Sequence, residues 1–217
     1  AGPLFLRYDQ LEMTLDADAA VVNSHLAIVS NDLGNARLDA SINPFVEGKP
    51  VTGEVAVNGM RLELLRPFLP ALSQLTGQIS AEGRLDGPLL HPRYWGNLQL
   101  KEGTLALRNA PLAVDDMSLW VDVQGDKAEF SGQLQSGEGE ATLSGRGEWA
   151  DSPRVALDLK GNRFAIRQEP EILAELSPDL HIGLQPGQVE LTGSVAVPYA
   201  RVNLKKLPER TVGVSSD

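Results

Sequence analysis

The sequence predicts an all-β protein, an elongated stack of antiparallel strands with one apolar and one polar face. A repeated nonapeptide is the first sign. Gly-Gln-Ile-Ser-Ala-Glu-Gly-Arg-Leu at 77–85 returns as Gly-Gln-Val-Glu-Leu-Thr-Gly-Ser-Val at 187–195, and in degraded form as Gly-Glu-Ala-Thr-Leu-Ser-Gly-Arg-Gly at 139–147. In each copy the residues two, four, six and eight beyond the first Gly are apolar or Gly, and mainly polar residues lie between them. That is the two-residue period of a half-buried strand. A weaker copy starts at Gly34, with Ala36, Leu38, Ala40 and Ile42 in phase. The second sign is the same alternation outside the repeat. The third is punctuation: 21 Gly and 14 Pro interrupt the chain every few residues, while aromatic residues make up only 5%. Such a texture belongs to many short strands joined by turns.

Along the chain, alternation recurs at Leu11, Met13, Leu15; Leu98, Leu100; Leu105, Leu107; Leu119, Val121, Val123; Ala128, Phe130; Val155, Leu157, Leu159; Phe164, Ile166; and Leu180, Ile182, Leu184. Between these runs sit Gly-Lys-Pro, Lys-Glu-Gly, Gln-Gly-Asp-Lys, Ser-Gly-Glu-Gly, Asp-Ser-Pro and Lys-Gly-Asn-Arg. Their Gly, Pro, Asn and Asp residues supply the backbone angles of tight turns, so consecutive strands form hairpins and the sheet is antiparallel. The pattern predicts about 14 to 17 strands. Two segments depart from it. From Met60 to Leu75 the apolar residues Leu62, Leu65, Phe68, Leu69, Leu72 and Leu75 fall at helical spacing, with Pro67 and Pro70 dividing the helix. Glu169 to Leu176 reads as a second short helix, with Pro170 in its first turn and Ile172, Leu173 and Leu176 on one side.

With 217 residues and no cysteine, the chain can bury a core without disulfides, and a Cys-ligated zinc site is excluded. A formal charge of -10 argues against nucleic acid, whose affinity comes from Lys and Arg on phosphates. No run reaches the length of a membrane-spanning helix and no secretory signal opens the chain, so any targeting segment is expected outside it. The absence of a linker or composition shift predicts one domain over 1–217, read as a piece of a longer protein.

Catalytic chemistry lacks candidates. His25, His91 and His181 are far apart and in no metal-binding spacing, so no metal and no cofactor are expected. The glycines of the repeat lack the Lys and the following helix of a phosphate loop; they read as bends or close-packing sites within strands. Asp16 with Asp18, and Asp115 with Asp116, could supply paired carboxylates, but Asp in turns is common for backbone reasons. Trp149 is in phase with the apolar face and Trp120 is not, so with Trp95 they read as isolated aromatics rather than a sugar platform.

A sheet with one apolar face must fold over on itself, acquire helices, or accept a ligand. Alternation alone leaves open whether two walls pack into a closed core or line a trough for an acyl chain or an unfolded apolar segment. The inward positions expected to line it are Leu38, Ile79, Leu85, Leu98, Leu100, Leu105, Leu107, Leu119, Val121, Val123, Phe130, Leu143, Trp149, Leu157, Leu159, Phe164, Ile166, Ile182, Leu184, Val189, Leu191, Val195 and Val197.

The run from Thr76 to Pro92, followed by Gly96-x-Leu98-x-Leu100-x-x-Gly103, resembles the repeat of the TamB family in the AsmA-like superfamily. The stretch from Gly193 to Asp217 resembles that family's C-terminal domain. The resemblance implies a β-taco, a long antiparallel sheet folded lengthwise into a U with a hydrophobic interior, in a periplasmic protein held at the inner membrane by an N-terminal segment absent from this chain. It implies two roles, neither catalytic. One is conduction of phospholipids, held by their acyl chains, between inner and outer membranes. The other is assistance to unfolded outer-membrane β-barrel clients such as autotransporters, together with an outer-membrane barrel partner of the BamA type.

Overall fold

The computed structural model describes residues 8–108, 113–150, 152–168 and 172–202. These residues form thirteen strands: β1 Gln10–Ala17, β2 Val22–Ser30, β3 Gly34–Ile42, β4 Pro50–Arg61, β5 Leu72–Pro88, β6 Arg93–Leu107, β7 Ala113–Gly125, β8 Lys127–Ser136, β9 Gly139–Glu148, β10 Arg154–Asn162, β11 Phe164–Gln168, β12 Ile172–Gln185 and β13 Gln188–Val202. One 3-10 helix, Leu62–Phe68, joins β4 to β5. All the strands belong to a single antiparallel sheet, in which β1 to β10 follow chain order and β12 pairs with β10, β11 and β13. No pairing joins β1 to β13 among the described residues, so the sheet is an open trough and not a barrel. Twelve strands stand side by side, which at roughly 4.8 Å per strand gives a trough about 53 Å long.

Among the described residues thirteen strands are seen, against the 14 to 17 expected from alternation along the whole chain. The hairpin expectation holds along most of the chain, and β3–β4, β5–β6 and β7–β8 are typical neighbours. Both helix expectations need correction. Of Met60–Leu75 only Leu62–Phe68 is helical, because Met60 and Arg61 complete β4 while Leu72 begins β5. Pro67 sits inside this 3-10 turn, where its missing N–H prevents a longer α-helix. Of Glu169–Leu176, residues 169–171 lie outside the described set, and from Ile172 onward the chain is strand. There the backbone pairs with β11 on one side and β13 on the other, and ladder bonds on both edges outweigh a locally ambiguous pattern.

The sheet has two rims, formed by the strand ends. The β1–β2, β3–β4, β5–β6, β7–β8, β9–β10 and β12–β13 connections form the first rim; the 3-10 helix and the β2–β3 and β8–β9 turns lie on the second. At the second rim the chain leaves β10 through Arg163, whose φ is +50°, and β11 turns inward against β7, β8 and β9. Across the corner, β12 carries an irregularity between Glu175 and Ser177 followed by Pro178. The Arg163 N–H donates to Ser177 Oγ at 3.1 Å, and its guanidinium grips Glu175 at 2.7 and 3.2 Å. This ion pair holds the Glu175 carboxyl below the usual glutamate range. At Gly139 a Cβ atom would stand 1.9 Å from the Arg163 carbonyl oxygen, so the corner and the start of β9 approach as backbone on backbone.

Candidate functional site: the apolar trough

The register places every copy of the repeat on one face. Cross-strand partners follow a single row from Met13 through Leu26, Leu38, Val55, Gly83, Gly96, Val123, Ala128, Gly147, Val155 and Leu184 to Val189. A second row runs from Leu11 through Ile28, Ala36, Val57, Ala81, Leu98, Val121, Phe130, Gly145, Leu157 and Ile182 to Leu191. Each row crosses twelve strands without a polar side chain. Because side chains alternate with period two, a one-residue slip at any hairpin would have broken both rows; the inward phase is therefore set at every turn.

A third row, nearer the second rim, starts at Met60 and continues through Ile79, Leu100, Leu119, Gly132, Leu143 and Leu159 to Leu180. Its neighbours are covered. Leu62, Leu75, Leu100, Val114, Met117, Ala141 and Phe164 form one buried cluster, and Leu72, Leu105, Leu119, Leu134 and Leu159 pack against it. The 3-10 helix contributes Leu62 to this cluster and β11 contributes Phe164. Burying side chains of this size is worth about 1.5–3 kcal/mol each, so the second rim is where the sheet holds itself folded. The Ser136 hydroxyl, buried on the inner side of β8, donates to the Ala165 carbonyl at 2.9 Å and ties β11 down.

Of the positions expected from the sequence, Leu38, Val123, Leu184 and Val189 fall in the first row, and Leu98, Val121, Phe130, Leu157, Ile182 and Leu191 in the second. Ile79, Leu100, Leu119, Leu143 and Leu159 fall in the third. Leu85 pairs with Gly53 and Tyr94 close to the first rim, while Leu105 pairs with Leu75 and Val114 under the covered half, and Leu107 pairs with Leu72. Phe164 and Ile166 belong to β11, and Phe164 is part of the buried cluster at the second rim. Trp149 lies just past the last paired residue of β9 and is 42% exposed. Val195 faces Pro178, and Val197 follows at the irregular part of β13, so neither extends a full row.

Sequence reading passed over Leu26, Ile28, Val55 and Val57, which the register brings into the same two rows. The signal was present: their parity follows from the Gly34 copy once β2–β3 and β3–β4 are read as hairpins. It also passed over Tyr94. This ring lies across Gly83 and Gly96, where Cβ atoms would stand 2.5 and 2.8 Å from its hydroxyl oxygen. Its hydroxyl donates to the Asn97 carbonyl at 3.4 Å, and burial, with the Glu82 charge adding to it, pushes the phenol above the usual tyrosine value.

The polar face carries several of the remaining candidates. Asp18 accepts from the Ala20 and Val21 amides at 2.7 and 2.8 Å, which closes the β1–β2 turn and lowers its pKa. Asp115 accepts from the Gly137 amide at 2.6 Å. Asp39 bridges His25 and Arg37 at 2.5 and 2.6 Å across β2 and β3, and Arg37, then His25, lowers its pKa. Trp95 is flanked by Arg84 and Arg93 at 5.5 and 5.3 Å, and Trp120 stands between Gln99 and Ser131 on the outer face. Among the described residues, no group of three or more His, Cys, Asp or Glu side chains could hold a metal ion, and no helix is long and apolar enough to cross a membrane.

Similarity to known proteins follows the same sheet. Residues 1–100 match the TamB N-terminal domain and residues 124–217 the TamB C-terminal domain. The sheet passes through the interval between the two matches without a break, since β6 and β7 pair from Tyr94–Gly125 to Ala106–Ala113. A translocation and assembly module subunit TamB from Haemophilus influenzae is 22% identical over 210 residues, which is 95% of this chain and 16% of that relative. No solved structure matches the chain. With both ends of the chain matched to TamB domains and a TamB relative aligned along nearly all of it, this trough-forming chain belongs to the TamB family.

Proposed function

We propose that this chain is part of a periplasmic, non-enzymatic conduit that carries phospholipids between the inner and outer membranes, with the acyl chains held against the trough floor. Two unbroken apolar rows running the length of the sheet carry this reading. A floor made only of apolar side chains and glycine gains roughly 0.8 kcal/mol for each methylene it shelters from water, whatever the headgroup, and has no fixed polar group to arrest a moving chain. Longer TamB proteins would extend the rows beyond this chain, and the single domain inferred for 1–217 would be one segment of that path. An N-terminal inner-membrane anchor would lie in another segment.

The experiment is lipid capture followed by charge insertion. Mass spectrometry of the purified chain should find diacyl lipid in stoichiometric amount, and Leu157→Arg and Val189→Arg, which place a guanidinium in each row, should abolish it. Lipid retained undiminished by both variants would sink the reading.

A second reading has its own support. Among the described residues nothing pairs with the outer edge of β13, and every residue of the strand is exposed, so its backbone can add a strand from an unfolded β-barrel client or from a BamA-type outer-membrane partner. The name of the Haemophilus relative, a translocation and assembly module subunit, fits that role as well. Site-directed crosslinking from Arg201 and Val202 separates the two readings: protein adducts at this edge favour assembly, and their absence in cells making such clients counts against it.

A further inference from the structure

We propose that the acyl-chain path is confined to the half of the trough nearer the first rim, because the protein's own side chains fill the other half; the proposal rests on the conduit reading above. The two halves differ in how their apolar side chains are covered. Toward the second rim, Leu75, Leu100, Val114, Met117 and Phe164 are between 5% and 9% exposed and touch one another. In the two rows nearer the first rim, Val123, Phe130 and Leu157 are half-buried and Leu184 is 37% exposed, while Val189 and Leu191 lie on β13, which is exposed along its whole length.

The division has a structural cause. β11 is a continuation of β10 that turns at Arg163 and, still paired with β12, comes to lie against β7, β8 and β9. It is pinned at three points: Ser136 to the Ala165 carbonyl, Arg163 to Glu175, and the Arg163 amide to Ser177. Phe164 thereby takes the place beside Met117 and Ala141 that an acyl chain would otherwise occupy. What remains is a lane two rows wide, the rows separated by roughly 6.8 Å, about the width one extended chain can cover. The covered strip thus works as a side wall that keeps a chain on the lane and out of the folded core.

The test uses the unmodified protein. The chain is mixed with phosphatidylcholine vesicles carrying a photoactivatable diazirine near the acyl terminus, irradiated, and the adducts are assigned to residues by fragmentation mass spectrometry. Adducts on Val121, Val123, Leu157, Leu184 and Leu191 should exceed those on Leu75, Val114, Met117 and Leu134 several-fold. Even labelling of both sets overturns the confined path and leaves the conduit reading standing. No labelling on any lining residue removes the conduit reading, and the confined path with it.

Discussion

Ser136 and Ala165 meet at 2.9 Å on the inner side of the trough, a buried hydroxyl donating to a buried carbonyl 29 residues away in sequence. This contact joins the β8–β9 hairpin to the strand that folds over it. Ser136→Ala removes the donor and keeps the volume, so the loss is that of one buried hydrogen bond, about 1–2 kcal/mol. Chemical denaturation should show a lower midpoint, and amide exchange should rise in β11 before it rises in β7 or β8. An unchanged midpoint would mean that the hydroxyl does not hold β11 in place.

The corner at Arg163 makes a sharper steric prediction. A methyl group at Gly139 would sit 1.9 Å from the Arg163 carbonyl oxygen and 2.2 Å from its carbon, both backbone atoms that cannot rotate away. Gly139→Ala should therefore cost on the order of 3 kcal/mol, the upper range for overpacking, or release β11 altogether. Gly183→Ala is the control, since the nearest atom to its added carbon is Glu190 Cβ at 3.6 Å, an ordinary contact. Thermal melts of the two variants should differ clearly, with Gly183→Ala near the parent chain.

How much of this was readable beforehand follows from the range of the forces involved. The two rows were legible because period-two alternation and turn residues are local, and consecutive hairpins transmit the phase of Gly34, Gly77, Gly139 and Gly187 from one strand to the next. The inward turn of β11 was not. It depends on Arg163 at positive φ, on an irregularity at Ser177, and on contacts with β7 to β9, none of which leaves a mark in a short window. Ile172-Leu173-Ala174-Glu175-Leu176 fits a helical stripe and a strand about equally well, and strand partners on both sides decide it. For the same reason the place of Phe164 in the buried cluster, beside Met117 and Ala141, could not be read from alternation.

The Arg163–Glu175 pair gives the cover a pH dependence of known sign. Glu175 has a folded-state pKa below its ordinary value of 4.5, with the Arg163 hydrogen bond as the main cause. Folding therefore gains from its ionised form above the ordinary value, and the gain disappears as the pH falls through the lowered one. At neutral pH the pair is intact; acidification loosens the corner, and Glu175→Gln should remove that acid-dependent step while leaving the rest of the acid transition. Nuclear magnetic resonance titration of the Glu175 carboxyl carbon reads the pKa directly. A midpoint at or above the ordinary glutamate value would refute the assignment.

Arginine placed in the two halves of the trough should have opposite consequences for folding. Val189 is 72% exposed at the open end of the first row, where a long side chain can carry its charge into water, so Val189→Arg should change stability by no more than about 0.5 kcal/mol. Leu100 is 5% exposed inside the covered cluster, packed with Leu75, Met117 and Phe164. Leu100→Arg leaves a guanidinium without a carboxylate partner in apolar surroundings and forces a longer side chain into a packed cluster, a combination worth several kcal/mol. Urea titration should therefore leave Val189→Arg with the parent midpoint and shift or abolish the Leu100→Arg transition. Equal tolerance of both charges would mean that the second rim is as open as the first, and the distinction between a folded wall and an exposed lane would fall.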